Sequence, residues 1–239
     1  MSQINRNHGR IALVGSGEYL PAMSEFEREL LDLGGSDLFI QIPTAAGQES
    51  ASRLEYWREL GADQAKRIGA KQVFLPIYTR EDAFKKEFTD QINAAGLIYL
   101  SGGDPHYLAS TLIDTPVYDA IQKNWRRGTS LAGCSAGAMA LGPDIPHFRK
   151  MKEDGDPGFG IVSNIRTIPH FNKFFKWIPD SAAQRFMKAP ENICIVGIDE
   201  LTAIYSDDLS NWNVYGVGKA HILHGAKTGI YSANENFVL

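Results

Sequence analysis

The sequence predicts an α/β fold, a mostly parallel, doubly wound sheet with helices on both faces. Two observations carry this reading. Up to about residue 143, short apolar runs closed by Gly or Pro alternate with stretches of helical spacing, the mark of successive βαβ units. The 239 residues are 44% hydrophobic and 22% charged, which suffices for a core of normal size and excludes global disorder. At this length one large domain, residues 1–239, is the expectation.

Arg10–Gly15 is an apolar run ending in glycine and reads as a first buried strand. Met23, Phe26, Leu30 and Leu33 are three or four apart, so 21–33 is a helix, stopped by Gly34-Gly35. A strand at 37–42 is closed by Pro43, and 48–68 is one helix or two broken near Gly61. A strand at 72–77 carries Pro76 near its end, and 80–95 is helical. The strand 96–100 runs into Ser101-Gly102-Gly103-Asp104-Pro105, helices follow at 107–112 and 117–127, and 129–133 is a fifth strand. Pro143–Gly160 is rich in Pro, Gly and charge and reads as a long irregular loop. Beyond it come a strand at 161–168, a mostly helical stretch at 171–188, and short strands at 193–198, 202–205, 213–217, 221–223 and 228–231, which suggest an antiparallel extension.

The formal charge of −4 lacks the basic footprint of a nucleic-acid binder. No apolar run reaches the roughly 18 residues of a membrane span, and the polar N-terminal residues lack the apolar region of a secretory signal. The expected location is the cytoplasm, with no membrane and no nucleic acid as partner. Two cysteines, Cys134 and Cys194, allow one disulfide on paper but not a disulfide scaffold. No metal-binding motif is present, so neither metal nor cofactor is expected.

The most specific motif is Gly133-Cys134-Ser135-Ala136-Gly137, a G-x-S-x-G between a strand and a helix. A nucleophile held at a sharp strand-to-helix turn crowds the residues two positions either side, which must be glycine. Ser135 would project above the sheet edge, where free amides favour an oxyanion. The bland alternative is a tightly packed turn. A serine needs a base. Among six histidines, His170 ends a strand in Thr167-Ile-Pro-His-Phe171 and has the best geometry, although strand-end histidines are often structural. The Gly103 amide after the neighbouring strand, together with that of Ala136, would form the oxyanion pair, and Gly102 and Asp104 of the same turn would face substrate. Asp199 and Glu200, at the end of an apolar strand, could bind a substrate amine or simply close a turn.

Gly133-Cys-Ser-Ala-Gly-Ala-Met139, the Gly102-Gly103 turn, Pro169-His170-Phe171 and Gly197-Ile-Asp-Glu200 together resemble the peptidase S51 family, which includes peptidase E and cyanophycinase. The resemblance covers about residues 11–205. It implies a class I glutamine amidotransferase-like fold of three layers, with serine replacing the usual cysteine. It also implies Ser135 as nucleophile, His170 as base, and the Gly103 and Ala136 amides as oxyanion hole. The family's acid lies between serine and histidine; here Asp144, Glu153, Asp154 and Asp156 lie in that interval, Asp144, in Pro143-Asp-Ile-Pro146, and Glu153 being the candidates singled out, and a dyad without an acid stays open. Asn172, Lys173, Phe174 and Phe175 follow His170 where cyanophycinases carry arginines, which argues against cyanophycin. Lys173, Arg149 or Arg166 could hold a substrate carboxylate.

The expected function is therefore a serine peptidase acting on small peptides, with no cofactor and with a homodimer compatible. The alternatives are a non-catalytic binding protein using the same cleft, and an α/β-hydrolase esterase whose base would be His221 or His224.

Overall fold

A computed structural model describes residues 8–147, 155–177 and 189–239. Its strands are β1 (Ile11–Val14), β2 (Leu38–Ile42), β3 (Lys71–Phe74), β4 (Leu97–Leu100), β5 (Ser130–Cys134), β6 (Asp144–Ile145), β7 (Asp156–Pro157), β8 (Ile165–Ile168), β9 (Cys194–Ile198), β10 (Thr202–Ser206), β11 (Asn211–Gly216), β12 (Lys219–His224), β13 (Gly229–Ser232) and β14 (Asn236–Val238). Its helices are α1 (Ser24–Leu33), α2 (Ala51–Arg67), α3 (Lys86–Ile92), α4 (Pro105–Leu112), α5 (Pro116–Trp125), α6 (Ala136–Ala140) and α7 (Phe171–Trp177).

The main sheet has the order β14-β11-β10-β1-β5-β4-β2-β3. From β1 to β3 every pairing is parallel, and β10, β11 and β14 extend the sheet antiparallel beyond β1. A second sheet, β13-β12-β9-β8, pairs β8 with β9 in parallel, and β6 with β7 forms a two-stranded ribbon.

Strand alternation divides the apolar side chains between two cores. Ile11, Leu13, Ile40, Ile42, Ile98, Leu100 and Leu131 point to one face, where α3, α4, α5, α6 and the second sheet pack. Ala12, Val14, Phe39, Leu97, Tyr99, Ala132 and Cys134 point to the other, where Phe26, Leu30 and Leu31 of α1 and Ala65 of α2 cover them. The result is the three-layer arrangement expected. Side-chain caps fix where helices begin: Ser50 accepts from the Arg53 amide, Asp104 from those of His106 and Tyr107, and Thr115 from that of Tyr118. Pro105 and Pro116 occupy the first helical positions of α4 and α5.

Several boundaries differ from the sequence expectations. Gly61 does not break α2; the helix crosses β2 so closely there that a side chain would strike Gln41. The helix expected at 80–95 contracts to α3, preceded by a single 3-10 turn at Asp82–Phe84. The irregular loop at 143–160 contains the β6–β7 ribbon. Strand β8 begins at Ile165, and β14, held by pairing to β11, was not anticipated. Of the helical stretch at 171–188, positions 178–188 lie outside the described residues. Among the described residues no helix is long and apolar enough to cross a membrane. Cys134 and Cys194 are both buried and unpaired.

Helix α1 itself carries one buried acid. The Glu27 carboxyl is fully enclosed, accepting from Gln64 Nε2 at 2.6 Å and from the Tyr19 amide at 3.2 Å. Burial pushes its pKa from 4.5 up to about 8, more than those hydrogen bonds pull it down. Between these two values the folded state holds a proton that the unfolded chain has lost, so stability falls as pH rises through that window. Glu27→Gln keeps one of the two acceptor oxygens and removes the titration. Urea unfolding at pH 5 and pH 8 is expected to show wild-type stability dropping by several kcal/mol and the variant changing much less; equal slopes would contradict this reading.

Candidate active site

The site is assembled where strand ends converge on one edge of the main sheet. Parallel register sets Val14 of β1 opposite Cys134 of β5, and Leu100 of β4 opposite Gly133. The antiparallel β10 brings Ala203 opposite Val14, so the chain entering β10 lies on the same edge. In the second sheet Ile168 pairs with Gly197, which places the residues following β8 and β9 side by side. Backbone bonds join the two sheets there: the His170 amide donates to the Gly15 carbonyl at 3.3 Å, and the Leu201 amide to that of Ser16 at 3.1 Å. His170 and Glu200, thirty positions apart, thus arrive beside Ser135.

Ser135 has φ 51° and ψ −108°, a conformation costly for any residue with a side chain. Its amide donates to the Val14 carbonyl at 2.9 Å and its carbonyl accepts from the Met139 amide at 3.0 Å, so the turn is held from both sides. A Cβ on Gly133 would lie 2.5 Å from the Gly137 carbonyl carbon, and one on Gly137 would strike the Leu100 carbonyl. Those contacts explain the glycines on either side of the serine. His170 (φ 49°) and Leu201 (φ 54°), next to Glu200, are also left-handed, so strain gathers at the three positions that shape the site.

His170 Nε2 lies 3.1 Å from Ser135 Oγ, and His170 Nδ1 lies 3.1 Å from Glu200 Oε1. The other Glu200 oxygen is 2.6 Å from Lys173 Nζ. Burial raises the Glu200 carboxyl, but the hydrogen bonds from Lys173 and His170 outweigh it and hold the group below the usual carboxylate range. The half-buried imidazole thus faces an ionised acid on one nitrogen and a hydroxyl on the other. The Phe171 ring lies over Gly197, where a Cβ would come within 2.5 Å of Cδ2, and against His221 at 4.6 Å between centroids. This packing fixes the chain immediately after His170.

The Gly102-Gly103 turn runs along the serine. A Cβ on Gly102 would be 3.4 Å from Ser135 Cβ, and one on Gly103 (φ 140°) would strike the Ala45 backbone. Ala136 opens α6, where amides have no intrahelical acceptor. Below the turn, Glu18 binds two of the converging loops: Oε1 accepts from the Gly102 amide at 2.9 Å and Oε2 from Cys134 Sγ at 2.8 Å. Burial, with Glu18 alongside, pushes the Cys134 thiol well up and keeps it protonated. Sequence reasoning passed over Glu18, whose one signal is an acid inside the glycine-rich loop after β1.

Other expectations need correction. Asp144 is not beside His170; it accepts from Arg166 Nε at 2.9 Å and from the same guanidinium's Nη2, a pair that ties β6 to β8. Glu153 and Arg149 lie outside the described residues. Asp104 caps α4 through the His106 and Tyr107 amides. Asp199 accepts from the Lys219 amide at 2.9 Å and from His221 Nε2 at 3.1 Å, joining β9 to β12, so it faces structure and not an open cleft. Glu200, read from sequence as a substrate contact, is the acid against His170. His221 is occupied by Asp199 and His224 ends β12, and neither is the histidine at Ser135. No cofactor motif emerged, but His106, His147 and Asp156 bring three ligand-type atoms within 4.8 Å of one another. These residues are too dispersed in the chain for a spacing motif to reveal them.

The sequence profile of peptidase family S51 matches residues 11–211. The cyanophycinase of Trichormus variabilis is 29% identical over 207 residues, covering 80% of this chain and 64% of that protein, so the chain spans less than two thirds of that relative. An uncharacterized peptidase of Pasteurella multocida is 26% identical over 60% of this chain and 71% of its own. Among solved structures, a peptidase from an acI-B1 Actinobacterium is 50% identical, with a TM-score of 0.94 over 97% of each chain. A putative peptidase E protein from Listeria monocytogenes EGD-e is 20% identical with a TM-score of 0.62, covering 83% of this chain and 94% of that one, and shares the fold.

The crowding at the serine turn is directly testable. Gly133→Ala forces a methyl group against the Gly137 backbone, which cannot yield as a side chain would. It is expected to lower stability by about 1–3 kcal/mol or more, read by urea denaturation. A variant as stable as the wild type would contradict the packing described.

Proposed function

Because the chain belongs to peptidase family S51, we propose that it is a serine peptidase hydrolysing small peptides through an acyl-enzyme on Ser135. The observation that carries this reading is the unbroken chain from Glu200 through His170 to Ser135, with both links at 3.1 Å. His170 Nε2 takes the hydroxyl proton as Ser135 Oγ attacks the scissile carbonyl. The Gly103 and Ala136 amides receive the oxyanion. The C–N bond then breaks, and His170 returns the proton to the leaving amine. Water, deprotonated by the same imidazole, releases the acid product and restores the hydroxyl. Glu200 fixes the tautomer that presents an unprotonated Nε2 to the serine and stabilises the imidazolium formed in the reaction. Lys173 holds the acid's second oxygen and keeps it charged.

The substrate reading rests on what surrounds this relay. Asn172, Lys173 and Phe174 follow His170, and Lys173 and Asn172 are engaged with the Glu200 side chain and amide, respectively. The arginines that the resemblance to cyanophycinases implies after His170 are absent here, which favours short peptides over cyanophycin as substrate.

A serine-directed fluorophosphonate, with peptide turnover measured alongside, tests the proposal. Ser135→Ala is expected to abolish both labelling and turnover. Glu200→Gln is expected to lower turnover by about 10²–10⁴-fold, while folded Asp144→Asn keeps most of it. Folded wild-type protein that neither labels nor turns over any member of a dipeptide library would favour a non-catalytic binding role. Loss in Asp144→Asn with retention in Glu200→Gln would reassign the acid.

A further inference from the structure

We propose that His106, His147 and Asp156 form a binding site for one divalent transition-metal ion of the zinc class, separate from the Ser135 relay. The three residues come from distant parts of the chain. His106 is the second residue of α4, His147 follows β6, and Asp156 opens β7. His106 Nδ1 lies 2.9 Å from Asp156 Oδ2, and His147 Nε2 lies 3.1 Å from Asp156 Oδ1. The two imidazole rings are parallel, with 2° between their planes and 4.3 Å between centroids, so each offers a nitrogen to a different oxygen of one carboxylate.

A second feature separates this cluster from an ordinary hydrogen-bonded tie. The His147 side chain is only 9% exposed. Its Nε2 is shut off from solvent, and although close to Asp156 it is not aligned for a hydrogen bond with any group. At 3.1 Å from Asp156 Oδ1 that nitrogen has charge attraction without an aligned hydrogen bond, and a metal ion would complete its coordination. The dimensions are within reach. One nitrogen from each histidine and one Asp156 oxygen lie within 4.8 Å of one another, and ligand atoms bound at about 2.0–2.1 Å in a tetrahedron stand about 3.3 Å apart, so a modest adjustment of the side chains around an ion reaches metal-ligand spacing.

Two imidazoles and one carboxylate select among ions. The set suits zinc, cobalt, nickel or ferrous iron, and not the all-oxygen preference of calcium or magnesium. Three protein ligands leave a fourth position for water. A bound ion would fasten the β6–β7 ribbon to the first turn of α4, a short step along the chain from Gly102-Gly103. It would thereby brace the turn that carries the oxyanion amide without taking part in the chemistry.

Cobalt(II) titration of the purified full chain, freed of metal by a chelator, is the test. Wild-type protein is expected to bind one equivalent with the visible absorption of low-symmetry nitrogen and oxygen coordination, and zinc is expected to displace it. The same band is expected to vanish in His147→Ala and in His106→Gln, with circular dichroism confirming that each is folded. Zinc added to the wild type is expected to raise the melting temperature by several degrees relative to chelator, a readout that needs no variant. Failure of the wild type to take up stoichiometric cobalt, or equal uptake by folded His147→Ala, would overturn the proposal and leave a purely hydrogen-bonded cluster.

Discussion

The structure depends on a single constraint, a left-handed serine at the junction of β5 and α6. With φ at 51°, Ser135 lifts its hydroxyl out of the sheet edge, and the chain tolerates this because neighbouring backbone grips the turn at both ends. Glycine before and after is the steric consequence. Removing either would set side-chain atoms against main chain, which cannot move aside. The loops after β1 and β4 are drawn onto the same turn by Glu18, which takes the Cys134 thiol with one oxygen and the Gly102 amide with the other. The cysteine of the motif is therefore an anchor under Ser135, protonated and enclosed.

His170 and Glu200 reach that turn by a different route. They belong to the second sheet, and the parallel pairing of β8 with β9 brings 170 and 200 together. The chain then crosses from β9 into β10 of the main sheet, so Glu200 sits at the seam between the sheets. Here the backbone is again left-handed, at His170 and Leu201. A relay built across a seam gains its geometry from both sheets and depends on the register of each.

Much of this was legible in the chain. The βαβ rhythm, the serine turn and the strand-end histidine are local signals, each written in a few consecutive residues. The glycines of 102–103 could be placed next to the serine because adjacent strands of a parallel sheet end on one edge. What local reading missed was non-local. Glu200 was visible as an acid but not as the partner of His170, because nothing in the order of residues reveals that β8 pairs with β9. Asp144 looked suitable by position between serine and histidine, yet Arg166, nearly buried, claims it. Glu18 and Glu27 escaped notice because a single acid in a loop or on a helix face reads as solvated, and only packing discloses its burial. The His106, His147 and Asp156 cluster is hidden for the same reason, since each residue comes from a different element.

The central claim is that Ser135 Oγ, His170 and the two amides of Gly103 and Ala136 act on one carbonyl. A crystal structure of the protein with a peptide aldehyde examines it most directly. The account predicts a hemiacetal joined to Ser135 Oγ, with its oxygen held by the Gly103 and Ala136 amides and His170 Nε2 within hydrogen-bonding distance of the adduct. An aldehyde covalently joined to another side chain, or an adduct whose oxygen points away from both amides, would contradict it.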